Sequence, residues 1–123
     1  MEKRPNDFGF KELIVWQRAI EFAEIVLEEI EKINSNRKHY RLIENLEACV
    51  VSVSSNIAEG KGRFSKKEFI HFLHISRGSL YETISKSILF NRKGWFSHTG
   101  LNQIENTGAE VARLLNGLIR SLC

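Results

Sequence analysis

The chain has 123 residues, of which 27% are charged and 42% hydrophobic, with a formal net charge of +3. These values exclude a disordered polymer and describe one soluble globular domain, 1–123, able to bury a core without staples. The mild basicity permits a nucleic-acid partner without requiring one.

No run approaches 18 uninterrupted apolar residues, and the N-terminal MEKRPNDFGF lacks the apolar core of a signal peptide, so neither a membrane span nor a membrane partner is expected. Leu13, Trp16, Ile20, Ala23, Leu27 and Ile30 then recur at 3-4 spacing. Val15, Ala19, Phe22, Val26 and Ile33 widen the apolar arc to roughly 160°. Gln17, Glu21, Glu24, Glu28 and Glu31 form the opposite, acidic face. The pattern predicts helix one over about 12–34, with a flank that repels phosphate.

NSNRKHY turns the chain, and a second helix is expected over about 40–59, with Ile43, Leu46, Val50, Val53 and Ile57 as its seam. Gly60 stands where a left-handed C-terminal cap is expected. Ser65, Lys66, Lys67 and Glu68 then read as a capping box: Ser65 accepts from the Glu68 amide while Glu68 reaches back. Phe64 and Phe69 occupy the two positions of a hydrophobic staple around it. Helix three continues through Leu73, Leu80 and Ile84 over about 66–91, and Gly94 marks its exit. The small residues around Ser76, Gly78 and Ser79 allow another helix to approach closely.

The fourth helix, about 98–122, carries Leu101, Ile104, Gly108, Val111, Leu115, Leu118 and Leu122 on a 3-4 seam. No stretch alternates with period two for long enough to make a strand. The expected fold is all-α, an antiparallel up-down-up-down four-helix bundle with short connections. Cys49 and Cys123 are far apart without metal-ligand spacing, which suits a reduced, cytoplasmic protein. Phe22 and Val26, with Leu114 and Ile119, fall beside their seams, and contiguous apolar surface of that kind predicts a homo-oligomer.

Three patterns bear on chemistry. Glu68 and His71 have the Glu-x-x-His spacing of di-iron bundles, but such a site needs two copies and two further carboxylates. Gly60 to Ser65 resembles a phosphate loop without the spacing or the preceding strand of a Walker motif. Neither supports an enzyme, a metal or a cofactor, and none is expected. The third pattern is cationic: Lys61, Arg63, Lys66 and Lys67 precede or open helix three, where helix polarity favours an anion. Its plainer reading is a solvated turn. Further cations lie in the first turn (Arg37, Lys38, Arg41) and the third (Arg92, Lys93), which share one end of an antiparallel bundle; Lys3 and Arg4 fall at the other end. Basic ends and an acidic side suit end-on contact with nucleic acid.

Phe10 to Leu13 with Val15, Trp16, Gln17 and Ala19 form one recognisable set. Ser55, Asn56, Ile57, Ala58, Glu59 and Gly60 follow, then Glu68, Phe69, Phe72 and Leu73, then Gly78, Ser79, Leu80 and Glu82. Together they resemble the bacterial four-helix bundle proteins encoded in intervening sequences of large-subunit ribosomal RNA genes. The resemblance runs from about Phe10 to Leu122. It implies a homopentameric ring that binds RNA, with relatives among the accessory variability determinants of diversity-generating retroelements, which bind a reverse transcriptase and its template RNA. Where such proteins usually carry a basic pair before the apolar run of helix two, this chain has Glu47 and Ala48, and Ser54 replaces a usual proline. That removes a cationic contact from helix two and leaves the corner and the ends. Asn56 and Glu59, nearly one turn apart, either pin a neighbouring helix, through hydrogen bonds or an ion pair with Arg63 or Arg77, or contact a ligand. Two functions follow: a non-catalytic RNA-binding accessory ring serving a reverse transcriptase, or a protein–protein scaffold without nucleic acid.

Overall fold

A computed structural model of the protein describes residues 8–33 and 39–123. A short 3-10 turn, Phe10–Glu12, precedes four helices: α1 (Ile14–Glu31), α2 (Tyr40–Lys61), α3 (Lys66–Arg92) and α4 (His98–Leu122). Each helix packs on its neighbours in chain order and α4 closes back on α1, so the expected up-down-up-down bundle is the observed fold. Helix one is shorter than its apolar pattern at both ends. Leu13 is extended and separates it from the 3-10 turn, and Lys32 caps it.

The core is continuous through all four helices. Phe22 and Val26 of α1, Leu46, Val50, Val53 and Ile57 of α2, Leu73 of α3, and Ile104, Val111 and Leu115 of α4 are fully buried. On α1 Val15, Ala19, Phe22 and Val26 are buried together with Ala23 and Ile30 of the expected seam, while Trp16, Ile20 and Leu27 are only partly buried. The buried face is therefore turned from the expected seam toward its flanking column by somewhat less than one residue step of about 100°. At the four named positions the expectation of left-over apolar surface is corrected: Phe22 and Val26 sit in the interior of a single chain, Ile119 is buried and Leu114 partly so.

The α2–α3 pair packs through small residues. Ser76 Oγ of α3 donates to the Val53 carbonyl of α2 at 2.7 Å, the Cys49 thiol donates to the Ser79 carbonyl, and Ser52 and Ser79 share a hydrogen bond at 2.9 Å. Gly78, expected in this contact, faces outward, and a methyl group there meets nothing within 4 Å. Thr83 and Ser87 are buried on the same face as Ser76 and turn their hydroxyls to carbonyls one turn back. Buried hydroxyls are tolerated because they are bonded. Gly94 ends α3 with φ 79°, as its position predicts, and lets the amide of Trp95 return to the Phe90 carbonyl.

Candidate nucleic-acid interface

The α2–α3 corner departs from the sequence expectation in two ways. Gly60 does not end the helix: α2 continues to Lys61 and is capped by Gly62 in right-handed geometry. Among the described residues only Gly9 and Gly94 have positive φ. Gly60 is small for packing, since a Cβ there would lie 2.7 Å from Phe72 Cβ and 2.9 Å from Phe69 Cδ1. The staple does not form either. Phe69 is buried, but Phe64 is fully exposed, at 106% of its reference surface. Phe69 instead has Gly60 against its ring and the Lys61 ammonium 5.9 Å from its centroid. Half of the capping box is present. Ser65 Oγ accepts from the Glu68 amide at 3.1 Å, while the exposed Glu68 side chain makes no reciprocal bond among the described residues.

All four corner cations are exposed. Arg63 is held by Glu59 at 2.9 Å and by the Phe72 ring, 4.8 Å from guanidinium carbon to centroid. Lys61, Lys66 and Lys67 have no carboxylate partner among the described residues. The corner therefore presents a ridge of cations with one fully solvated aromatic ring in its middle.

At the opposite end, His39 packs on Trp95 with ring centroids 4.1 Å apart, which brings the first and third turns together as the antiparallel arrangement requires. Arg41, Arg92 and Lys93 lie at that end, with Lys93 over the Trp95 ring. Arg37 and Lys38, and likewise Lys3 and Arg4, lie outside the described residues. Exposed Glu21, Glu24 and Glu31 make the α1 flank acidic. Glu47 of α2 is partly buried and Ala48 exposed.

Asn56 donates to the carbonyl and hydroxyl of Ser52 on its own helix, both at 2.8 Å, and Ser52 in turn meets Ser79 of α3. Asn56 thus acts on α3 through Ser52. Glu59 pairs with Arg63, whereas Arg77 donates to Asn116 of α4 at 2.7 Å and contacts His74. Glu68 and His71 are both exposed, and among the described residues no three His, Cys, Asp or Glu groups converge. No described helix is long and apolar enough to cross a membrane.

Two features escaped the sequence reading. One is an open groove of about 630 Å³ between α3 and α4, lined by Leu80, Tyr81, Ile84, Ile88, Ala112 and Arg113 among others. Its signal was present in the small residues Gly108, Ala109 and Ala112 on α4. The other is Glu29, a buried carboxylate at the end of α1, which glutamate-rich surroundings disguise as part of the acidic stripe.

The chain is similar in fold to a protein of unknown function from the S23 ribosomal protein family of Bacteroides thetaiotaomicron, whose crystal structure superposes with a TM-score of 0.79. The two are 23% identical, over 86% of this chain and 98% of that one. Among curated proteins none matches the sequence significantly. The family model for the 23S rRNA-intervening sequence protein matches residues 11–117, nearly the whole bundle, and the chain belongs to that family.

Proposed function

We propose that the protein is a non-catalytic RNA-binding accessory protein of the cytoplasm, working as a homo-oligomeric ring that assists a reverse transcriptase. One observation carries the RNA contact: Lys61, Lys66 and Lys67 stand exposed beside Arg63 on a single corner, without carboxylate partners among the described residues. Cations so placed take phosphate by releasing counterions, with little dependence on sequence. The Arg63–Glu59 pair is exposed and contributes only about 0.3–0.5 kcal/mol, so a phosphate displaces Glu59 easily. The ring, its five copies and the retroelement partner rest on the family resemblance.

The test replaces Lys61, Arg63, Lys66 and Lys67 together by Gln or Ser. RNA affinity falls at least tenfold near physiological salt, about 1.4 kcal/mol, while circular dichroism melts and light scattering stay unchanged. Equal affinity and equal salt dependence would mean that the corner is a solvated turn. The scaffold reading then takes over, and the α3–α4 groove favours it, because an open apolar surface suits a protein partner. A 14.2 kDa particle by light scattering at micromolar concentration refutes the ring under either reading.

A further inference from the structure

Among the described residues nothing buries Phe64. A phenylalanine left in water forgoes the stabilisation that burial supplies, and on the adjoining Phe69 ring Gly60 packs closely and the Lys61 ammonium stands 5.9 Å from the centroid. The other rings of the corner are occupied: Phe69 is buried beneath that cover, and Phe72 carries the Arg63 guanidinium on one side and the His71 ring at its edge. Among the described rings of the corner Phe64 is the one left fully in solvent, and Lys61, Arg63, Lys66 and Lys67 all lie within three residues of it in the chain.

We propose that Phe64 is a base-stacking residue, so that the corner takes single-stranded nucleic acid, with an unpaired base on the Phe64 ring and neighbouring phosphates on Lys61, Lys66 and Lys67. This rests on the RNA-binding reading above and narrows it to a substrate class. An isolated flat ring between cations matches the stacking platforms that hold single strands. A duplex cannot use it. Its bases are stacked on each other, and it meets the corner through phosphates alone. A planar base beside phosphates is common to RNA and DNA strands, so the probes include both.

The experiment titrates wild type, F64A and F64W with a 12-nucleotide oligouridylate, the matching oligothymidylate and a 12-base-pair RNA duplex. F64A weakens RNA single-strand binding about tenfold, leaves duplex binding within twofold and keeps the salt slope. F64W restores the wild-type value, and the thermal melts coincide because the ring is solvated. A parallel loss on oligothymidylate also upholds stacking and shows that the site reads bases of either strand; a loss confined to RNA upholds it with RNA as the source. Undiminished single-strand binding by F64A, or an equal loss on the duplex, overturns the inference while the cationic corner stands. F64A that changes particle mass, or that releases the protein from phosphatidylserine vesicles, with RNA affinity untouched, assigns the ring to a protein or membrane contact and overturns it too. Wild type binding none of the three probes removes the RNA-binding reading itself, and the stacking role with it.

Discussion

Glu29, in the last turn of α1, closes the first turn of α4: its Oε1 accepts from the backbone amide and from the hydroxyl of Ser97, each at 3.0 Å. Ser97 Oγ meanwhile accepts from the Gly100 amide, so one serine caps its own helix and receives a carboxylate from another. A side chain at position 100 would collide with the Glu29 carboxylate, which explains the glycine. The negative charge sits at the positive end of α4, with Lys32 Nζ at 3.4 Å.

The first prediction concerns acid stability. Burial raises the Glu29 pKa, but the two bonds from Ser97 and the charge of Lys32 outweigh it, and the net shift is downward. A depressed folded value means that the contribution is fully present above the unfolded glutamate pKa, about 4.3, and is lost as pH falls through the folded one. Hydrogen bonds to a charged group contribute about 1.5–3 kcal/mol each, so E29Q loses about 2 kcal/mol at neutral pH. Urea unfolding from pH 7 to pH 3 gives converging curves for the two proteins. Parallel curves contradict the assignment.

Three glycines separate packing from backbone freedom. Alanine at Gly60 meets Phe72 at 2.7 Å, and alanine at Gly108 meets Ile84 Cδ1 at 2.7 Å and Phe22 Cε1 at 3.1 Å. Each substitution forces a shift in the core and lowers stability by about 1–3 kcal/mol. At Gly60 the obstacle is a Cβ, which cannot swing aside, so G60A loses more than G108A. Alanine at Gly78, mid-helix and facing open space, raises stability by about 0.5–1 kcal/mol. Thermal melts of the three variants check both the signs and the order.

The two thiols differ in access. Cys49 is buried, donates to the Ser79 carbonyl and accepts from Thr83 Oγ1; burial pushes its pKa up despite the Thr83 bond. Cys123 is exposed. An aromatic disulfide reagent in excess therefore modifies one thiol per chain quickly under native conditions and both after denaturation. Two fast native thiols would mean that the α2–α3 seam opens readily.

Helix periodicity made the bundle legible, because four long 3-4 patterns separated by short polar or glycine-containing segments have few other solutions. It was less able to place the centre of a wide arc. On α1 the many apolar positions of the two sets leave the rotation free, and contact with α2 and α4 chooses the line through Phe22 and Val26. Gly60 misled for a related reason: a glycine near a helix end serves equally as a left-handed cap or as room for another helix, and only the position of Phe69 and Phe72 decides. The corner cations were legible because charge is carried by residue type. The freedom of Phe64 was not, since a staple is a sequence pattern whose formation depends on whether its slot is empty.

The final prediction distinguishes the two ends of the bundle. At the far end Lys32, Arg41, Arg92 and Lys93 of the described residues stand with Glu28, Glu29, Glu31 and Glu44 in the terminal turns, and Arg37 and Lys38 belong to the same connection in sequence. At the corner end Lys11, Lys61, Arg63, Lys66, Lys67 and Arg120 face only Glu12, Glu59 and Glu68. Among the described residues the corner is the end where cations outnumber carboxylates, and a carboxylate within a Debye length, about 8 Å at physiological salt, cancels much of a neighbouring cation's attraction. Replacing Lys61, Lys66 and Lys67 by Gln therefore lowers the slope of log affinity against log salt for single-stranded RNA by about 0.7 for each phosphate no longer neutralised, about 2 in all. Replacing Arg41, Arg92 and Lys93 changes that slope by less than the share of a single phosphate. Titrations of both triple variants from low to physiological salt decide the matter. A larger change from the far-end variant would move the phosphate track to the Trp95 end of the bundle.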